Sequence, residues 1–152
     1  MKKATCNTPS IATAKGNSMH PLIKEGEKLL VEFGPFSRLS VGEIVVFFKK
    51  KKLVAHRIIK IKKNKKGDSY ILKGDNLPRS KETLPRRSIV GKVTKIIHSD
   101  YITDLKKPKF RIINKFFLLY SLLNERLPLL LKIQKLYKIP LFKNLYRKVL
   151  QS

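Results

Sequence analysis

Residues 43–48 read Glu43-Ile44-Val45-Val46-Phe47-Phe48, a run of β-branched and aromatic side chains that does not alternate with polar ones. A strand with one wet face alternates, so a continuous apolar run of this length fits a strand covered on both faces. Such a strand needs neighbours, and the flanking sequence supplies them. Upstream, Glu27–Phe33 is rich in Leu and Val and is stopped by Gly34-Pro35. Downstream, Leu53–Ile61 alternates in part, with Leu53, Ala55, Arg57 and Ile59 on one face and Val54, His56, Ile58 and Lys60 on the other. Ser69–Lys73 and Ile89–Ile97 complete the set, and Gly26, Gly42, Gly67, Gly74 and Gly91 fall at the turns between them. Short strands at this spacing predict a small all-β domain, with Lys60–Lys66 as a solvated basic hairpin tip.

Beyond that domain the composition changes. The chain has 152 residues with 35 Lys+Arg against 10 Asp+Glu, a net charge of +25. Residues 1–105 hold 23 basic and 9 acidic residues and all seven glycines, whereas 106–152 hold 12 basic residues, one acidic residue and no glycine. Lys106-Lys107-Pro108-Lys109 marks the boundary. Phe116, Leu119, Tyr120, Leu123 and Leu127 recur at helical spacing, as do Leu141, Phe142, Leu145, Tyr146 and Val149, with Pro128 and Pro140 fitting first-turn positions. The expected organisation is an N-terminal extension over 1–15, a β domain over 16–105 and a basic, amphipathic helical tail over 106–152. The fold class is mainly β with an α-helical tail.

The length allows one modest core, and the aliphatic content is too high for a disordered basic tail. A single cysteine, Cys6, excludes an internal disulfide framework and any cysteine-based zinc cage. Two early lysines are followed by no apolar segment, so no cleavable signal and no N-terminal anchor are expected. The most apolar late window, 116–131, is broken by Asn124, Glu125, Arg126 and Pro128 and falls short of a membrane-spanning helix. The charge itself points to polyanions, either nucleic acid or an anionic membrane surface.

Chemistry enters with three segments. Gly16-Asn17-Ser18-Met19-His20-Pro21 places a serine behind a glycine-containing loop, where a nucleophile would be exposed. Val54-Ala55-His56-Arg57-Ile58 puts an imidazole in a strand, and Leu72-Lys73-Gly74-Asp75-Asn76 is a turn with a carboxylate. Each alone has a structural reading: a capping serine, a satisfied core histidine, a turn-stabilising aspartate. In order they carry more weight. Gly-x-Ser-Met-x-Pro, Val-Gly-Glu-Ile-Val at 41–45, His-Arg-Ile at 56–58, Lys-Gly-Asp-Asn at 73–76 and Gly-Lys-Val at 91–93 together resemble the type I signal peptidases, among the signal-peptidase-like S24/S26 serine peptidases. The five blocks cover residues 16–93 and leave the tail unmatched.

The resemblance implies a small signal-peptidase/LexA-like catalytic β domain and a serine endopeptidase that cleaves signal or leader peptides after small residues. Bacterial signal peptidases and self-cleaving LexA-type repressors carry a lysine base where this chain has His56, so the resemblance is to the serine–histidine branch of the endoplasmic reticulum and archaea. It implies that Ser18 attacks the peptide carbonyl and His56 takes its proton. The oxyanion and substrate would be held around Gly16, Ser18, Met19 and Pro21, and because position 16 carries no hydroxyl the oxyanion would rest on main-chain N–H groups. The family's acidic member is matched by Asp75, but its usual second aspartate is missing and Glu82 lies just beyond, so either acid could orient His56. No cofactor or metal is implied: His20 and His98 have no partner at ligand spacing.

Two expectations concern setting. The family's membrane anchor has no counterpart here, and the amphipathic tail either lies in an anionic membrane interface, making the protein peripherally membrane-associated, or packs on the β domain. The competing functional class is a non-catalytic basic module binding nucleic acid or anionic membrane; no zinc-finger, dinucleotide-binding or RNA-recognition signature supports specific nucleic-acid binding.

Overall fold

A computed structural model describes residues 9–126 apart from 66 and 78, with the side chains at 109, 111 and 120–126 left aside. Its elements are β1 (Pro9–Thr13), β2 (Lys28–Phe33), β3 (Ile44–Lys49), β4 (Lys52–Lys62), β5 (Ser69–Lys73), β6 (Lys81–Pro85), a 3-10 turn (Arg86–Ser88), β7 (Ile89–Ile97), β8 (Ile102–Asp104) and α1 (Pro108–Arg126). The strands form one antiparallel sheet in the order β1-β2-β7-β3-β4-β5-β6, with β8 pairing β7.

The continuous apolar run is the centre of this sheet. Its residues are divided between two cores because successive side chains of a strand point to opposite faces. Ile44 and Val46 join a cluster with Met19, Leu22, Val31 and Val93, while Val45 and Phe47 join Ile58, Tyr70, Leu72 and Ile89 on the other side. Burying both faces of one strand accounts for the absence of alternation.

The structure departs from the sequence expectation in several places: β6 and β8 are strands beyond the expected set, and β4 runs through Lys62 into the expected 60–66 tip. Pro9–Thr13, placed in an N-terminal extension, is an edge strand whose register runs from Pro9↔Glu32 to Thr13↔Lys28. Its residues are mostly exposed, so it carries little of the apolar signal by which a strand is read. In the tail, the stripe facing the domain is Phe110, Ile113, Asn114 and Phe117 rather than one through Phe116 and Leu119; Phe110 and Phe117 are in the first core, and Phe116 and Leu119 are exposed. A polar member, Asn114, sits in the middle of the seated stripe, and a search for apolar periodicity passes over it. The part of the tail expectation that concerns 127–152, including Pro128, Pro140 and the second helical stripe, lies outside the described residues.

The β3–β4 connection is a two-residue turn, Lys50-Lys51, closed by the pair Lys49↔Lys52. Both turn residues have positive φ, 48° and 62°, the signature of the hairpin turn that favours Asn-Gly. Left-handed backbone costs a residue with a Cβ about 1 kcal/mol. The double change Lys50→Asn/Lys51→Gly is therefore expected to stabilise the domain by about 1 kcal/mol, raising its thermal midpoint by roughly 4 °C. A calorimetric scan showing an unchanged or lower midpoint would contradict the strain argument.

Candidate active site

Strand β4 delivers His56 and Arg57 as neighbours, and alternation sends them to opposite faces. His56 lies opposite Val45 and goes to the Phe47 side, with the two rings edge to face at 5.6 Å. Register then explains which acid reaches it. Leu72 is opposite both Ile58 and Glu82, and residues directly opposite share a face. Glu82 thus stands on the His56 face, and its Oε2 lies 2.9 Å from His56 Nδ1. Its other oxygen, Oε1, accepts from Lys49 Nζ at 2.7 Å.

Asp75, matched to the family's aspartate on sequence, is engaged elsewhere. It is fully buried, and both its oxygens accept from Arg57, Nε to Oδ1 at 2.8 Å and Nη2 to Oδ2 at 2.7 Å. The guanidinium, also fully buried, donates through Nη1 to the Gly42 carbonyl at 2.8 Å and to Asn114 Oδ1 at 2.5 Å, and lies 5.3 Å from the centre of the Phe117 ring. Of the two acids left open on sequence, Glu82 is the one hydrogen-bonded to the histidine, and Asp75 is paired with the buried arginine beside it. A buried guanidinium needs a carboxylate with both oxygens free, and Asp75 supplies it.

The Gly74-Asp75-Asn76 turn does a second job by fixing the serine loop. Asn76 N–H donates to the Ser18 carbonyl at 2.9 Å, and its side-chain amide donates to the Asn17 carbonyl at 3.1 Å. Gly74 is required by proximity: a Cβ there would lie 2.8 Å from Ser18 O and 3.1 Å from His56 Nε2. Those distances to one point bring the Ser18 main chain and Nε2 of His56 within roughly 6 Å of each other. The loop is anchored from below by Met19, Leu22 and Ile23 in the first core, with Pro21 buried beside them. Ser18 itself is half-buried. Gly16 N–H donates to Glu25 Oε1 at 3.2 Å, which takes it away from oxyanion binding while that bond holds.

Burial pushes the His56 imidazole below its ordinary pKa, against an opposing pull from the Glu82 carboxylate; Lys49 adds to the lowering. At neutral pH the ring is therefore uncharged, with Nδ1–H directed to Glu82 and the Nε2 lone pair facing the serine loop. Partial burial pushes the Glu82 carboxyl up, but Lys49 and His56 outweigh it and the group ends below the usual carboxylate range. An ionised acid, a neutral imidazole in the required tautomer and a serine loop bound to the same turn form an arrangement suited to nucleophilic acyl transfer.

A cleft of about 200 Å³ opens at Ser18, between β1 and the start of β4. Ala12, Ala14 and Ala55 line it together with the larger apolar side chains of Ile23, Leu29, Val31 and Val46. A larger cavity of about 450 Å³ lies between α1 and the Ser40–Ile44 segment, and neither Ser18 nor His56 lines it. His20, next to the serine loop, is depressed by burial and by Lys24. His98 is a structural residue: Nδ1 is 2.7 Å from Glu27, Nε2 is 2.9 Å from Thr103, and the ring stacks on Tyr101 at 4.1 Å. Among the described residues no group of three His, Cys, Asp or Glu side chains could hold a metal ion.

Lys49, the structural role of Arg57, and Asn114 were not found on sequence. Arg57 follows the histidine in its motif, which was the available signal; Lys49 and Asn114 lie in segments with none. In comparison with known proteins, a family model described as Peptidase S24-like matches residues 5–94. No curated protein matches the chain.

Proposed function

The chain belongs to the Peptidase S24-like family, and from that premise we propose that it is a serine endopeptidase in which Ser18 is the nucleophile, His56 the general base and Glu82 the acid that orients the base. The observation that carries the reading is the convergence of His56 Nε2 and the Ser18 main chain on Gly74, with Glu82 on the far ring nitrogen. Ser18 Oγ attacks the peptide carbonyl as its proton passes to His56 Nε2. The tetrahedral oxyanion is held by main-chain N–H groups of the serine loop. The imidazolium, stabilised by Glu82, then protonates the leaving amine, and water repeats the cycle on the acyl-enzyme.

The small volume of the cleft at Ser18, about 200 Å³, and its apolar lining by Ile23, Leu29, Val31 and Val46 support a substrate with small apolar side chains beside the scissile bond, as in signal or leader peptides. A peptide with alanine at and near that bond is the first substrate to try. Ser18→Ala and His56→Ala are each expected to lower its cleavage by at least about a thousandfold, with far-ultraviolet circular dichroism unchanged. Cleavage surviving either change at near the original rate would refute the assignment.

No described helix is long and apolar enough to cross a membrane. Peripheral membrane association through the tail would fall on residues 127–152 and on the outer face of α1, because its inner face is seated on the β domain.

A further inference from the structure

We propose that the tip of the β3–β4 hairpin, residues 48–53, docks on an anionic lipid surface and so holds the mouth of the Ser18 cleft against a bilayer. Strand β3 buries Val45, Val46 and Phe47 almost completely, yet the next residue, Phe48, is 64 % exposed. Its cross-strand partner Leu53 is 41 % exposed, so two large apolar side chains stand together at the end of the hairpin. Between them run Lys49, Lys50, Lys51 and Lys52. Lys49 is paired with Glu82, whereas among the described residues no carboxylate pairs with Lys50, Lys51 or Lys52.

Unneutralised lysines around an apolar pair match the two layers of a membrane interface. The ammonium groups meet anionic headgroups, while their aliphatic stems and the Phe and Leu side chains enter the acyl boundary. Nucleic acid would use the lysines but has no place for the aliphatic Leu53. Position matters as much as composition. Leu53 also lines the cleft that contains Ser18, so a lipid contact at the tip brings the surface to the rim of the candidate active site. The lipid contact does not depend on the peptidase chemistry, and the two are tested separately.

The chain contains no tryptophan, so Phe48→Trp creates a single fluorescent reporter at the tip. The full chain carrying it is titrated with phosphatidylcholine vesicles with and without phosphatidylglycerol. The expected result is a blue shift and quenching by brominated acyl chains with the anionic vesicles only, weakened by added salt. Adding Lys50→Asn/Lys51→Gly, which removes two charges and suits the turn, is expected to weaken partition more than about tenfold. Unchanged emission from the indole of the Phe48→Trp variant while the protein co-sediments with vesicles would overturn the proposal, since the contact would then lie elsewhere in the chain. So would a blue shift induced by an alanine-containing leader peptide or a single-stranded oligonucleotide but not by vesicles. Cleavage of a short soluble peptide by the same variant, measured without lipid, shows whether the catalytic reading stands when docking fails.

Discussion

Glu82→Gln is expected to cut peptide cleavage by on the order of 10²–10⁴-fold with little loss of stability. The amide keeps the size of the side chain, and Glu82 is not in either core. What it loses is the ionised oxygen 2.9 Å from His56 Nδ1, which in the proposed mechanism would fix the ring's tautomer and stabilise the imidazolium formed during attack. The pH profile gives a readout that a purely structural role would not move. Burial already sets the His56 pKa below its ordinary value, so the acid limb of kcat/KM should lie below that of a free imidazole. Glu82 raises the His56 pKa, so its neutralisation shifts the limb further towards acid. Lys49→Met acts in the opposite direction, because removing a nearby cation lets His56 bind its proton more readily. A Glu82→Gln enzyme with full activity and an unmoved profile would mean that the hydrogen bond is not used in catalysis.

How the sequence conveyed this site depends on the kind of contact involved. The central strand was legible because burial on both faces leaves a continuous apolar run, and His56 because the motif order around it fixed its neighbourhood. The choice between Asp75 and Glu82 was not legible, since it depends on register: Glu82 reaches the histidine face only because β6 pairs β5 with Leu72 opposite Glu82. A spacing along the chain carries no such information. Asn114 was hidden for a related reason. It contributes one oxygen to a guanidinium 57 residues away, and a polar residue in a seated helix stripe looks from sequence like an interruption of that stripe. Edge strand β1 escaped because exposed residues pair through their backbone, which leaves little trace in side-chain pattern.

Asp75→Ala should destabilise the fold by about 3–5 kcal/mol, a large part of the roughly 5–15 kcal/mol available to a domain. The reason is what remains behind. Arg57 is fully buried, and losing Asp75 strips two of its four hydrogen bonds along with its countercharge. The bond to Asn114 ties the same guanidinium to α1, and the Phe117 ring covers it, so the defect should loosen the helix as well as the Asn76 tether on the serine loop. A double-mutant cycle separates this role from catalysis. Arg57→Met with Asp75→Ala removes both charges, leaving only the Gly42 carbonyl and Asn114 to find new partners. It should therefore be more stable in urea than Asp75→Ala alone. Were Asp75 instead the acid serving His56, Asp75→Asn would keep the unfolding midpoint and abolish cleavage. As the partner of Arg57 it should lower the midpoint, with cleavage following the folded fraction, and Glu82→Gln should show the reverse pattern.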